Sequence, residues 1–347
     1  MDHDRTPGGL SAELRDAISL RAVVLVVGVF VLQMAFIVSY VGAFHAPKPY
    51  RIPVGVVAPA QVGSALVEKV NSLPSRPLQA QLVADEAAAR QLLTEDRINA
   101  ALVVDASGTS DRLLVASASG SAVVTAVETA VTQLESRQHR TTTTVDVVPL
   151  QSGDERGLTG FYLVIGWLVG GYLVASLIGV AAGARPATVR RTVIRLGALA
   201  VYAIVSGLGG AVIVDPVLGA LTGHFVALWW VGALLVFAAA AVTTALQVLF
   251  GITGIGLAVL LFVVLGNPSA GGAYQLRLLP PFWRAIGYAI PNGAGTEAVR
   301  RIVYFGGRGI TSHLLVIAAY AFAGCAVALL GARLRRPPGD PSPDPAQ

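Results

Sequence analysis

Proteins that catalyse or transduce energy carry groups that hold phosphate, metal or protons, and this chain is poor in all of them. Its lysines are Lys48 and Lys69, followed by Pro49 and Val70. A phosphate-binding loop needs Gly before its Lys and Ser or Thr after it, so that backbone amides and an ammonium cradle the phosphates. Neither lysine has that setting. The five histidines (His3, His45, His139, His224, His313) are scattered with no pair at helical ligand spacing, and Cys325 is the single cysteine. Zinc sites and internal disulfides need more. No G-x-S-x-G elbow is present. The adjacent acids Asp85/Glu86 and Glu95/Asp96 fall at predicted helix ends, where capping and solvation explain them better than acid–base catalysis. The residue types therefore predict no catalytic residue, no cofactor and no metal, and a chain that is not an enzyme.

The elements that must position these few groups are mostly apolar. Of 347 residues, 54% are hydrophobic and 13% charged, about half the charged share of a soluble domain; the mean hydropathy is +0.67. Residues 45–157 hold ten basic and twelve acidic residues, whereas the rest holds fifteen basic and eight acidic. The excess positive charge thus lies beside apolar segments, where a lipid bilayer attracts it, and predicts no nucleic-acid partner.

A bilayer core needs about 20 apolar residues per helix. Residues 22–44, 161–183, 193–214 and 312–332 meet this, and the unbroken stretch 226–266 is long enough for two helices with a turn somewhere in 243–254. The fold class expected is a polytopic α-helical membrane protein with six transmembrane helices and an α/β extracytoplasmic domain between the first and second. The first span is read as a retained anchor, longer than a signal-peptide core. Residues 1–21 form a tail whose stretch 10–20 suits an amphipathic surface helix, and 334–347 form a disordered tail.

Arginines in short loops orient the spans. Arg5, Arg15 and Arg21, then Arg185, Arg190, Arg191 and Arg195, then Arg333, Arg335 and Arg336 all fall on the cytoplasmic side with six spans. Both termini are then cytoplasmic, in the plasma membrane, and 45–157 lies outside. Loop 267–311 conflicts: it too lies outside, yet carries Arg277, Arg284, Arg300, Arg301 and Arg308 against Glu297.

Within 45–157, β-rich runs at 52–57, 78–83, 99–104, 112–116 and 142–148 alternate with helical patterns at 61–73, 85–94 and 119–138. The order βαβαββαβ predicts a mixed sheet. In the membrane part, 158–333, no Asp or Glu lies inside a span. Asp215 falls at an end, and Arg195 near the start of the third span is expected to snorkel to the headgroups. Ion-coupled transport normally uses intramembrane carboxylates and is disfavoured. Any active transport must draw its energy from another polypeptide. Gly166/Gly170, Gly179/Gly183 and the cluster Gly207, Gly209, Gly210 predict close packing between helices of one chain.

The richest segment is 266–305. Asn267-Pro268 and Gly271-Gly272 break the fifth span, Pro280-Pro281 precede a turn with Phe282, Trp283 and Arg284, and Pro291, Gly293 and Gly295 make a second break before a helix carrying Arg300. Two short amphipathic helices so spaced predict a re-entrant or interfacial hairpin, with Phe282, Trp283, Tyr288 and Tyr304 suited to the headgroup layer. The pattern opens with Gly266: GNPS-x-GG, then LP-x-FW-R-x-I, P-x-GA-G and A-V-R. It resembles the extracytoplasmic re-entrant segment of type 2 ABC transporter permeases, and within them it is most similar to the phage infection protein (Pip/YhgE) branch. The resemblance covers nearly the whole chain. It implies an export permease for lipophilic or amphipathic cargo, working as a homodimer with a separate ATPase subunit on the cytoplasmic side, where Arg185, Arg190 and Arg191 are the candidate contacts. A non-transporting envelope scaffold or receptor is the other reading, because members of that branch include both.

Overall fold

The computed structural model describes residues 20–334. The surface helix expected before Leu20 and the tail from 335 onward lie outside the described residues. The chain begins in α1 (Leu20–Phe44), an uninterrupted apolar helix.

An α/β domain follows. Its elements are β1 (Ile52–Val57), α2 (Ala60–Asn71), β2 (Leu78–Leu82), α3 (Glu86–Thr94), β3 (Ala100–Val103), β4 (Ser110–Val115), α4 (Ser121–Ser136) and β5 (Thr141–Asp146). Each lies close to its expected bounds. The sheet order is β2-β1-β3-β4-β5, parallel except where β3 meets β4. The central strands β1 and β3 are continuous apolar runs because helices cover both sheet faces: α2 and α4 pack on one, α3 on the other. The threonine-rich β5 is an edge strand, half-exposed as its polar pattern requires. Asp85 caps α3, accepting from the Ala88 amide at 2.7 Å.

The membrane part comprises α5 (Thr159–Ala181), α6 (Val189–Val212), α7 (Phe225–Phe250), α8 (Thr253–Val259), α9 (Pro281–Ala289), α10 (Pro291–Tyr304) and α11 (Thr311–Leu334). Among the described residues, five helices are long and apolar enough to cross a bilayer: α1 from Val26, α5, α6 with its extension to Val217, α7 and α11. Helix α7 is the hub, and α5, α6 and α11 pack around it. Small residues set the approach, as expected, but through a partly different set. A Cβ on Gly171, Gly207 or Gly324 would run into the α7 backbone, whereas Gly166, Gly183 and Gly209 face open space. Gly210 of α6 and Gly232 of α7 form a notch filled by the buried Trp167 indole.

The long apolar stretch does not divide into two full spans. Its turn falls at the C-terminal end of the expected window, at Gly251, which caps α7 at φ 68°. The second piece, α8 with a π-helical continuation over Leu260–Leu265, covers only Thr253–Leu265. At 1.5 Å per residue that is about 20 Å, short of the ~30 Å hydrocarbon core. One end lies by Arg185, which donates to the Leu249 carbonyl. The other reaches the segment packed under the α/β domain. The fifth apolar segment is thus not a regular crossing.

The α/β domain carries its own charged latch. Arg140 donates to both carboxylate oxygens of Asp111, at 2.7 and 2.6 Å, and lies 3.6 Å from Glu135 at the end of α4. Burial, with Asp111 alongside, pushes the Glu135 carboxyl up to about 7. A carboxyl raised by folding gives its full contribution to stability below its ordinary value and loses it as pH rises through the folded value. Wild type is therefore expected to lose thermal stability relative to Glu135→Gln as pH rises from about 4.5 to about 7, measured by unfolding of the detergent-solubilised protein. A constant difference between the two proteins over that range would contradict the assignment.

Candidate functional site

Helix α10 begins at Pro291, with proline at its first position, where no amide partner is lost. The expected break at Pro291, Gly293 and Gly295 is therefore the first turns of the helix. Gly293 and Gly295 are tolerated there for close approach: a Cβ on Gly293 would strike the Gly287 carbonyl, and one on Gly295 the side chains of Val164 and Leu235. Ala294, Ala298, Val299, Ile302 and Val303 bury one face of α10 in the bundle core. Asn292, Thr296 and Arg300, one per turn, form a polar stripe that is also buried.

That stripe meets the broken end of the fifth segment. Carbonyls at a helix end lose their intrahelical partners, and within a bilayer no water replaces them. Here side chains do. Asn292 donates to the Phe262 carbonyl at 2.9 Å and to the Asn267 side chain at 3.1 Å. The Ser39 hydroxyl, inside α1 and about 8 Å below its end by helical rise, donates to the Val264 carbonyl. Ser269 donates to Leu265 at 2.6 Å and Gly266 at 3.2 Å. Arg300 donates to Gly271 at 3.2 Å while pairing with Glu297 at 2.5 Å. The breakers fit tightly: Gly266 lies under the Asn292 amide, Gly272 against the Phe161 ring, and Gly271 takes φ 75°. Pro268 is buried. Pro280 and Pro281 start α9.

Two expected headgroup aromatics face inward. Trp283 is buried with Ala43, Leu276 and Leu279, because α9 turns that face toward α1. Tyr304 donates to Asp154 at 2.8 Å, and Asp154 in turn accepts from the Thr159 amide at the start of α5. Phe282 and Tyr288 are exposed as expected.

The α/β domain sits directly on this segment. The amides of Lys48 and Tyr50 donate to the Leu278 and Arg277 carbonyls, both at 3.0 Å, and Leu278 completes the core of the domain. This contact resolves the arginine-rich loop. Arg277 donates to the Arg51 carbonyl, Arg284 lies 4.0 Å over the Tyr50 ring, and Arg308 reaches the Thr94 carbonyl. Arg301 pairs with Asp96 at 2.6 Å, with side chains 18% and 12% exposed. Burial raises the Asp96 carboxyl above its usual range, and Arg301 pulls it back. The five arginines are bound to protein rather than presented to a membrane surface. Asp96, Asn99, Ser119, Gln275, Glu297, Arg300 and Arg301 surround a polar cavity of about 210 Å³ at the junction.

The opposite end of the bundle is simpler. Thr188 caps α6, accepting from the Arg191 amide at 3.2 Å. Arg185 is used to cap α7. Arg195 does not snorkel: it is 9% exposed and donates to the Gly183 carbonyl at 3.0 Å, closing the end of α5. Arg190 and Arg191 are exposed. The structure thus brings the 266–300 motif together and leaves Arg185, Arg190 and Arg191 apart from it. Sequence reading missed Ser39, Asp154, Gln275, Asn292 and Thr296, and it took Asp96, which pairs with Arg301, for a capping or solvated acid at a helix end. The four-residue spacing of Asn292, Thr296 and Arg300 was the one available signal.

Loss of the Asn292 donor leaves the Phe262 carbonyl unpaired, so Asn292→Ala is expected to cost about 1–3 kcal/mol, read as earlier thermal unfolding in detergent. Breaking the Asp96–Arg301 pair from either side is expected to cost on the order of 3 kcal/mol. The double variant Asp96→Ala/Arg301→Ala should cost clearly less than the sum of the single ones; strict additivity would show that the pair does not couple the two parts.

No group of His, Cys, Asp or Glu able to hold a metal occurs among the described residues. Searches of curated proteins and of solved structures find no significant match. Residues 19–331 match the model of the ABC-2 family transporter protein, a span that takes in α1, the sheet, the broken fifth segment and all but the last turn of the bundle. The chain therefore belongs to the ABC-2 family of transporter proteins, as a multi-pass membrane permease component.

Proposed function

We propose that the chain is the permease subunit of an exporter that moves lipophilic or amphipathic cargo outward, with ATP hydrolysed by a separate subunit. The observation that carries this is the division of its two ends. One end is locked under a folded α/β domain through the 266–308 segment. The other presents the exposed Arg190 and Arg191 in the first turn of α6, beside the α5–α6 loop, in a chain with no phosphate-binding loop of its own. On this reading that loop, with Arg185 holding α7 beside it, receives the ATPase. The α/β domain lies outside the cell, both termini lie in the cytoplasm, and the 266–308 segment forms the outer re-entrant hairpin. Two copies make the working unit, and the resemblance carried by the 266–300 motif supports a reading within the Pip/YhgE branch.

Capture of the tagged chain from its native membranes should recover an ATPase. Arg190→Glu/Arg191→Glu should reduce that recovery about tenfold or more while leaving the permease folded. Transport that persists with no nucleotide-hydrolysing partner would overturn the export reading, and loss of a different protein complex on deletion, with cargo retention unchanged, would favour the scaffold. Orientation is tested separately with Cys325 replaced: single cysteines at Ser107 and Ser342 should label from opposite sides of the membrane.

A further inference from the structure

The junction cavity has polar groups left over after its own pairs are made. Gln275 is 7% exposed, lines the cavity, and its Oε1 has no hydrogen-bond partner. The Nε–H of Arg301, on the same wall, is buried without an acceptor, although the other two guanidinium nitrogens are engaged by Asp96 and the Arg308 carbonyl. Arg97 and Arg277 also line the cavity. Arg97 is exposed and only 4.0 Å from Glu95 at its closest. An unpaired buried donor and acceptor each cost free energy, so the wall is incomplete as it stands.

The leftover set names a ligand chemistry. Guanidinium N–H groups suit the oxygens of a phosphate, and the Gln275 oxygen needs a donor such as a hydroxyl. About 210 Å³ is smaller than a drug-sized site and matches a headgroup. Tyr288, on the rim, and Phe282 on the same helix α9 are 50% and 58% exposed, as aromatics are where lipid meets water. His313, also on the wall, lies at the start of the α11 span.

We propose that this cavity binds a hydroxyl-bearing phosphate monoester or diester, of the glycerol phosphate type, entering from the adjacent headgroup layer. The phosphate lies against Arg97, Arg277 and the Arg301 Nε–H, and the hydroxyl donates to Gln275. This site does not rest on the export reading, because a lipid held without being moved would occupy it equally.

The test uses the full chain purified in delipidating detergent, with dioleoyl phosphatidylglycerol, dioleoyl phosphatidylcholine and soluble glycerol phosphate as probes in native mass spectrometry and thermal shift. Phosphatidylglycerol should bind and stabilise more strongly than phosphatidylcholine. Gln275→Glu and the exposed Arg97→Glu should each weaken it about tenfold, and Arg112→Ala, at the residue that pairs with Glu86 at the opposite end of α3, should not. Competition by soluble glycerol phosphate identifies a free phosphate ester as sufficient, while its failure beside bound phosphatidylglycerol assigns the lipid. Equal binding of both lipids, or equal weakening by Arg112→Ala, overturns the proposal. Arg97→Glu keeps the test decisive if Gln275→Glu fails to fold.

Discussion

A membrane-embedded backbone must satisfy every carbonyl it exposes, and the rest of this structure is arranged around one place where the helical solution stops early. The fifth apolar segment ends at Leu265, below the C-terminal end of α1. In water the freed carbonyls would be hydrated; at this depth an unpaired one costs several kcal/mol. Four side chains from three elements converge to supply donors: Ser39 from α1, Ser269 from the loop itself, and Asn292 and Arg300 from α10. Helix α10 must therefore be buried, polar face included, and α9 must turn back to seat it. The glycines at 266, 272, 287 and 293 exist because helices and loop approach too closely for a Cβ.

The same segment is the floor of the α/β domain. Arginines that would contradict the usual charge bias of membrane loops are used as bolts between the two parts, to backbone carbonyls, to a tyrosine ring and to Asp96. A guanidinium with five directed donors suits this use better than an ammonium. Movement of α10 and movement of the sheet domain are mechanically tied at these points. Helix α7 links the two ends of the bundle, because every other long helix except α1 packs on it.

Much of this was legible in one dimension. Alternating β-rich and helical patterns with polar punctuation located the strands and helices of the sheet domain, since local burial pattern and capping residues such as Asp85 act over a few positions. Hydropathy located the long helices for the same reason, and the Pro/Gly spacing of 266–295 marked the break. What failed were inferences about partners. Trp283 and Tyr304 looked interfacial and Arg195 looked ready to snorkel, because an amphipathic side chain carries no local sign of which neighbour it meets.

The sequence by itself determined the class of molecule: an apolar bundle interrupted by one α/β domain, with its rarest motif after the fifth apolar segment. Only the tertiary structure decided that this segment ends short, that α10 starts at Pro291, and that Asp96 belongs to Arg301. The reason is physical. Periodicity and helix caps are set by residues a turn or two apart, whereas pairing a stranded carbonyl or a buried guanidinium depends on groups brought together only when α1, the sheet and the bundle close on one another.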